Sequence, residues 1–89
     1  MCMYTVYIIE CRDGTLYTGI TTDLNRRMQE HRNGVASRYT AAKGFHALRY
    51  QETQPNRSHA LIREHQIKQL SRSMKLQLIC SYEQTSHDL

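Results

Sequence analysis

The segment Tyr4 to Cys11 reads Tyr-Thr-Val-Tyr-Ile-Ile-Glu-Cys, and in an extended chain it puts apolar or aromatic side chains on both faces. Tyr4, Val6 and Ile8 share one face, while Tyr7, Ile9 and Cys11 share the other, because successive side chains in a strand alternate. β-Branched and aromatic residues favour this conformation, and a strand apolar on both sides is stable only when both sides are covered. Tyr4 to Cys11 is therefore expected to lie at the centre of a sheet with other elements packed above and below it. A chain of 89 residues has material for one such core and not for two.

Arg12-Asp13-Gly14 has turn chemistry, and Leu16 to Ile20 reads as a second strand, so the two strands form a hairpin. Loop length then decides where two tyrosines point. A two-residue loop with Arg12 opposite Thr15 sets Tyr7 against Ile20 and Tyr17 against Glu10, on opposite faces of the sheet. An Arg12-Asp13-Gly14 loop with Gly14 left-handed sets Tyr7 against Gly19 and Tyr17 against Ile9, and both rings then leave the same face. A site shared by the two tyrosines requires this odd-length loop or an equivalent bulge.

Asp23 can cap a helix from Leu24 to about Arg32, which Asn33-Gly34 would end. Val35 to Phe45 is polar, basic and expected to be irregular, and His46 to Thr53, with Leu48 and Tyr50 in alternation, reads as a third strand. Past Pro55, Asn56 or Ser58 can cap a helix to about Leu70, and Ser71 a last one over Met74 to Cys80, with fraying from Tyr82. The order is β-β-α-β-α-α, which implies an α+β fold: a small three-stranded antiparallel sheet flanked by helices. Residues 1–82 form the expected domain and 83–89 a frayed tail.

Cys2, Cys11 and Cys80 are odd in number and show no Cys-x-x-Cys spacing, which argues against a disulfide framework and against a zinc knuckle. The opening Met-Cys-Met-Tyr-Thr-Val lacks the basic start and long apolar run of a signal peptide, and no stretch is long enough to cross a membrane. A cytoplasmic location is expected. Lys and Arg number 12 against 8 Asp and Glu, a formal charge of +4 that suits a polyanionic partner.

On a helical projection of the first helix, Arg27 and His31 flank the apolar stripe of Leu24 and Met28, whereas Arg26, Glu30 and Arg32 face solvent. Arg27 must then reach past the core or line a cleft at its edge. In the second long helix Glu64 falls inside the apolar stripe, between Leu61 and Ile67. A carboxylate there needs a cation, a metal ion or a proton, because burying its charge alone costs several kcal/mol. An ion pair of Glu64 with Arg27 or with Lys68 answers that need as well as a metal does.

Thr5-Val6-Tyr7 followed by Tyr17-Thr18-Gly19 resembles the pair of tripeptides that names the GIY-YIG nucleases. The stretch from Tyr17 through Asp23 and Leu24 to Arg27 and His31 is similar to that family's strand-to-helix signature. Ala60 to Lys68 resembles the later helix that carries its metal-binding Glu, and the likeness is greatest with the small, single-domain bacterial branch. Thr5 stands where the family has Gly, Thr18 where it has Ile, and no Asn follows Asn56, although many family nucleases use a late Asn to shape the site.

The resemblance implies a metal-dependent endonuclease that hydrolyses DNA phosphodiester bonds with structure-selective or weakly sequence-selective cleavage. The alternative is a nucleic-acid-binding module of the same fold with little or no cleavage. It implies one divalent ion, Mg²⁺ or Mn²⁺, on Glu64; Tyr7 as general base, its pKa lowered by nearby cations; and Tyr17 orienting water or phosphate. Arg27 would offset phosphoryl charge and His31 would assist through a hydrogen bond. Arg38, Lys43 and Lys68 are the candidate DNA-backbone contacts, with Arg57, Arg63, Arg72 and Lys75 as further cations. RNA, a homodimer and a protein partner for targeting are left open.

Overall fold

In the computed structural model, which describes residues 3–87, β1 (Tyr4–Cys11) is the middle strand of an antiparallel sheet ordered β2-β1-β3. Its neighbours are β2 (Leu16–Thr21) and β3 (Phe45–Gln54). Both faces of β1 are covered, as its composition requires. Val6 and Ile8, with Tyr50, pack against Ala60 and Ile67 of α3 (Arg57–Gln69) and Ile79 of α4 (Arg72–His87). Tyr7 and Ile9 pack against Met28 of α1 (Leu24–Arg32), together with Tyr17, Leu24, Phe45 and Leu48. The architecture is the α+β one anticipated, a three-stranded sheet with helices on either side. Each fully buried aliphatic side chain contributes about 1.5–3 kcal/mol relative to exposure, so β1 anchors both cores at once.

The hairpin takes the odd-length form. Cys11 N–H donates to the Thr15 carbonyl at 2.8 Å and Gly14 N–H to the Cys11 carbonyl at 2.9 Å, closing the Arg12-Asp13-Gly14 loop. Gly14 has φ of 88°, which a side chain would strain. Tyr7 therefore faces Gly19 and Ile9 faces Tyr17, and the two tyrosines share the α1 face. The loop is pinned through Asp13, which accepts from Thr15 and pairs with Lys43. Those contacts, that of Lys43 foremost, hold its carboxyl well below the usual carboxylate range.

The helix caps largely follow the sequence. Asp23 accepts from Arg26 N–H at 3.1 Å, Asn56 from His59 N–H at 2.9 Å, and Ser71 from Met74 N–H at 3.2 Å. Three features differ from expectation. The supposedly irregular stretch after Val35 contains a 6-residue helix, α2 (Arg38–Lys43), capped by Ser37 and closed by Gly44 at φ of 81°. The β1–β3 pairing shifts register between Ile8 and Ile9, so Tyr50 lies opposite Ile8 and Leu48 opposite Ile9. The expected alternation would have put Leu48 and Tyr50 on one face; the irregularity sends them to opposite cores. Finally, α4 runs on to His87, past the end expected at Cys80, because neither Gly nor Pro interrupts it.

Cys11 is a buried free thiol and Cys80 an exposed one, while Cys2 lies outside the described residues, as do residues 88 and 89 of the tail. Among the described residues no helix is long and apolar enough to cross a membrane.

Thr18 points to the α3 side, where its hydroxyl is buried without a hydrogen-bond partner. Such a group loses its water and gains nothing in return. Thr18→Val is therefore expected to raise the unfolding free energy by about 1 kcal/mol; a denaturant midpoint that stays put or falls contradicts it.

Candidate active site

The site is built outward from a phenol almost wholly shielded from bulk water. Tyr7 is 1% exposed, and its hydroxyl lies 2.8 Å from Nε2 of His31 on α1. The ring can lie there because Gly19, directly across the hairpin, has no side chain: a Cβ at Gly19 would come within 2.5 Å of the Tyr7 hydroxyl oxygen. His31 is itself 2% exposed, and its Nδ1 lies 2.9 Å from Oγ1 of Thr40 on α2. Thr40 is fully buried, and its Oγ1 is 2.8 Å from the Ser37 hydroxyl. A line of hydrogen bonds thus runs from β1 through α1 to the start of α2.

Tyr17 lies edge-on to His31, with ring centroids 5.6 Å apart, and stacks on Tyr39 at 5.9 Å. Arg27 donates from one terminal nitrogen to Glu30 at 3.0 Å, while its Nε is buried without a hydrogen-bond partner. Glu64 comes from α3, which packs on β1 and β2, and its carboxylate lies 3.3 Å from Lys68. Of the two ion pairs the sequence allowed, the structure forms Glu64–Lys68 and not Glu64–Arg27. Lys68 is half-exposed, and such a pair contributes at most about 1 kcal/mol, so Glu64 is not committed to it.

Burial sets the protonation of the central pair. It pushes the Tyr7 phenol up to about 12; Tyr17 and Glu64 add to the rise, and the Arg27 guanidinium opposes it without prevailing. The expectation that neighbouring cations lower this pKa is thus overturned, because desolvating a phenolate outweighs one nearby cation. Burial also lowers the His31 pKa, helped by Arg27 and partly offset by Glu30. At neutral pH the phenol keeps its proton and the imidazole is uncharged.

Tyr7, Tyr17 and His31 thus come together directly, with Arg27 and Glu64 near enough for their charges to act on the phenol. Of the candidate backbone contacts, Arg38 is exposed at the start of α2, Lys43 lies 5.4 Å from the Tyr39 ring while paired to Asp13, and Lys68 sits beside Glu64. Arg63 and Arg72 are instead engaged by Glu52 and by the Gly14 carbonyl. The sequence offers the loop Ser37-Arg38-Tyr39-Thr40 as a track for the nucleic-acid backbone and Gly19 as part of a tripeptide motif, but it assigns none of Gly19, Ser37 and Thr40 to the surroundings of Tyr7 and His31. A glycine inside a strand, and a Ser three residues before a Thr in a cap spacing, were the available signals.

Among the described residues no three His, Cys, Asp or Glu side chains converge as a closed metal cage would need. One half-buried carboxylate, Glu64, fits an ion such as Mg²⁺ that keeps most of its waters and takes further ligands from substrate. A cavity of about 260 Å³ lies elsewhere, between the sheet and α4, and is lined by Leu16, Arg49, Leu76 and Ile79 rather than by these residues.

A family profile described as the GIY-YIG catalytic domain matches residues 3–77. A UPF0213 protein of Halobacterium salinarum is 49% identical over 73 residues, which cover 82% of this chain and 95% of that protein. A UPF0213 protein of Staphylococcus epidermidis is 46% identical over 74 residues, covering 83% and 90%. The solution NMR structure of a UPF0213 protein from Bacillus halodurans is similar at 40% identity and a TM-score of 0.56, covering 88% of this chain and 83% of that one. The profile runs from the start of β1 into α4 and takes in every candidate site residue, so this chain belongs to the GIY-YIG family, and its fold is that family's nuclease fold.

Proposed function

We propose that this protein is an endonuclease that hydrolyses DNA phosphodiester bonds with the help of one divalent cation, Mg²⁺ or Mn²⁺. The observation that carries the reading is the buried 2.8 Å contact between the Tyr7 hydroxyl and His31 Nε2, close to the charges of Arg27 and Glu64. A phenol with a pKa of about 12 is a poor base alone, but one that can pass its own proton to a neutral imidazole can accept another from water.

In this reading water gives a proton to the Tyr7 oxygen as the Tyr7 proton moves to His31. The resulting hydroxide forms the new bond to phosphorus, the bond to the leaving oxygen breaks, and that oxygen takes a proton from solvent, to which His31 gives up the one it received. Arg27, with its unpartnered Nε, offsets charge on the phosphoryl oxygens, and Tyr17 orients water or phosphate. Glu64 holds the cation, which when bound supplies positive charge beside the phosphate and lowers the pKa of nearby water. Arg38, Lys43 and Lys68 contact the DNA backbone without reading bases, which favours structure-selective or weakly sequence-selective cutting in the cytoplasm. The absence of an Asn after Asn56 favours a second reading, a module that binds nucleic acid with little or no cleavage.

Cleavage of labelled single-stranded, duplex and branched DNA at low salt, with Mg²⁺ or Mn²⁺, tests the proposal. Wild-type protein is expected to cut; Glu64→Ala abolishes cutting, and Tyr7→Phe slows it about 10²–10⁴-fold. Salt-sensitive binding without cutting by the wild type establishes the second reading instead.

Gly19→Ala is expected to impair cleavage nearly as much as Tyr7→Phe, because the added methyl displaces the Tyr7 ring. A folded Gly19→Ala protein of normal rate would remove Tyr7 from the mechanism.

The pH profile follows from His31, which must be neutral to accept a proton. Since its folded pKa lies below the ordinary value of 6.5, kcat/KM is expected to hold level down to that pH and fall only beneath it. A rate that falls from pH 8 to 7 contradicts this assignment.

A further inference from the structure

The hydrogen bonds around His31 can be counted. Neutral His31 has one N–H and one lone pair, and Tyr7 and Thr40 each have one hydroxyl hydrogen. Thr40 Oγ1 has three polar neighbours: His31 Nδ1 at 2.9 Å, the Ser37 hydroxyl at 2.8 Å and the Ser37 carbonyl at 3.4 Å. Ser37 Oγ also accepts the Thr40 N–H at 3.1 Å, which fixes it as the cap of α2.

Suppose the proton is on Nε2. It then points at the Tyr7 oxygen, and the phenolic hydrogen of Tyr7 must find another acceptor. Of the other groups acting on Tyr7, Arg27 has only donors, and neither Tyr17 nor Glu64 is within hydrogen-bond reach of its hydroxyl, whose contact is His31 Nε2. In the resting protein, before any water reaches Tyr7, a buried hydroxyl hydrogen would be left unpaired, at a cost of about 1–3 kcal/mol.

Suppose instead the proton is on Nδ1. It donates to Thr40, Thr40 donates on to Ser37, and the Tyr7 hydroxyl donates into the free lone pair of Nε2. The hydrogens of Tyr7, His31 and Thr40 are all used, and the bonds run in consistent directions toward the half-buried Ser37 hydroxyl.

We propose that Thr40, held by the Ser37 cap, fixes His31 as the Nδ1–H tautomer, so that Nε2 presents its lone pair to the Tyr7 proton. Thr40 is fully buried against His31 Nδ1 and is a positioning residue, acting through which imidazole nitrogen is free. The consequence for rate rests on the nuclease reading above, whereas the tautomer itself does not. Outer partners of this kind commonly matter 10–100-fold for activity where they orient a histidine in a metal site.

The test is a long-range nitrogen–proton correlation spectrum of nitrogen-15-labelled full chain at neutral pH, which distinguishes a protonated from an unprotonated ring nitrogen. Wild-type His31 is expected to show a protonated Nδ1 and a bare Nε2. Thr40→Val keeps the shape but removes the acceptor, and should shift the tautomer and lower kcat about 10–100-fold with KM little changed. Thr40→Ser restores both. A wild-type spectrum with the proton on Nε2 overturns the proposal, as does a folded Thr40→Val protein with unchanged tautomer. If Thr40→Val does not fold, the wild-type and Thr40→Ser spectra still decide. If the wild type does not cut DNA, the nuclease reading fails while the spectrum continues to test the tautomer.

Discussion

The structure depends on a strand with no wet side. Because β1 is buried on both faces, the hydroxyl of Tyr7 is almost wholly shielded from bulk water and takes its hydrogen bond from protein. That single requirement organises the α1 side of the sheet. Met28 supplies apolar contact on the same helix that brings His31 to the hydroxyl, Gly19 leaves room for the ring, and α2 folds so that Thr40 can meet the far nitrogen of the imidazole. Apolar area would tolerate small shifts of α1, whereas consecutive hydrogen bonds near 2.8 Å do not, so polar groups specify the geometry that apolar groups stabilise.

Burial also decides the electrostatics, in opposite senses for the two partners. It raises the phenol pKa and lowers the imidazole pKa, because in each case it disfavours the charged form. The resting pair is consequently neutral, which spares the fold an isolated buried charge. The charges of the site are kept at its margin, Arg27 against Glu30 and Glu64 against Lys68, in partly exposed pairs that a phosphate or a cation can rearrange.

What the sequence disclosed follows from which interactions are periodic. The two covered faces of β1, the shared face of Tyr7 and Tyr17, the cap at Asp23 and the anomalous positions of Arg27, His31 and Glu64 all follow from repeats of two or of 3.6 residues and from turn chemistry. Non-periodic features escaped. The β1–β3 register shift that separates Leu48 from Tyr50 arises in pairing with a distant strand, and α2 is too short to show an apolar stripe. Nor does the sequence disclose the raised pKa of Tyr7, since it offers a cation for the phenol's neighbourhood and not the depth of burial.

The opposite face of the sheet explains why Glu64 is held where it is. Arg63, the residue before it, bonds through Nε to both carboxylate oxygens of Glu52 on β3, at 2.9 and 3.0 Å. Burial on its own would raise the Glu52 pKa, yet hydrogen bonds from Tyr50, Arg63 and Gln54 bring it below the ordinary value, so the anchor is charged at neutral pH. One residue further along the helix is a turn of about 100°, so Glu64 leaves α3 on a different side from Arg63, whose bonds to Glu52 tie the helix to β3. The two faces of β1 therefore contribute differently: hydrogen bonds between neutral groups place the tyrosine on one, and an anchored ion pair sets the helix that carries the carboxylate on the other.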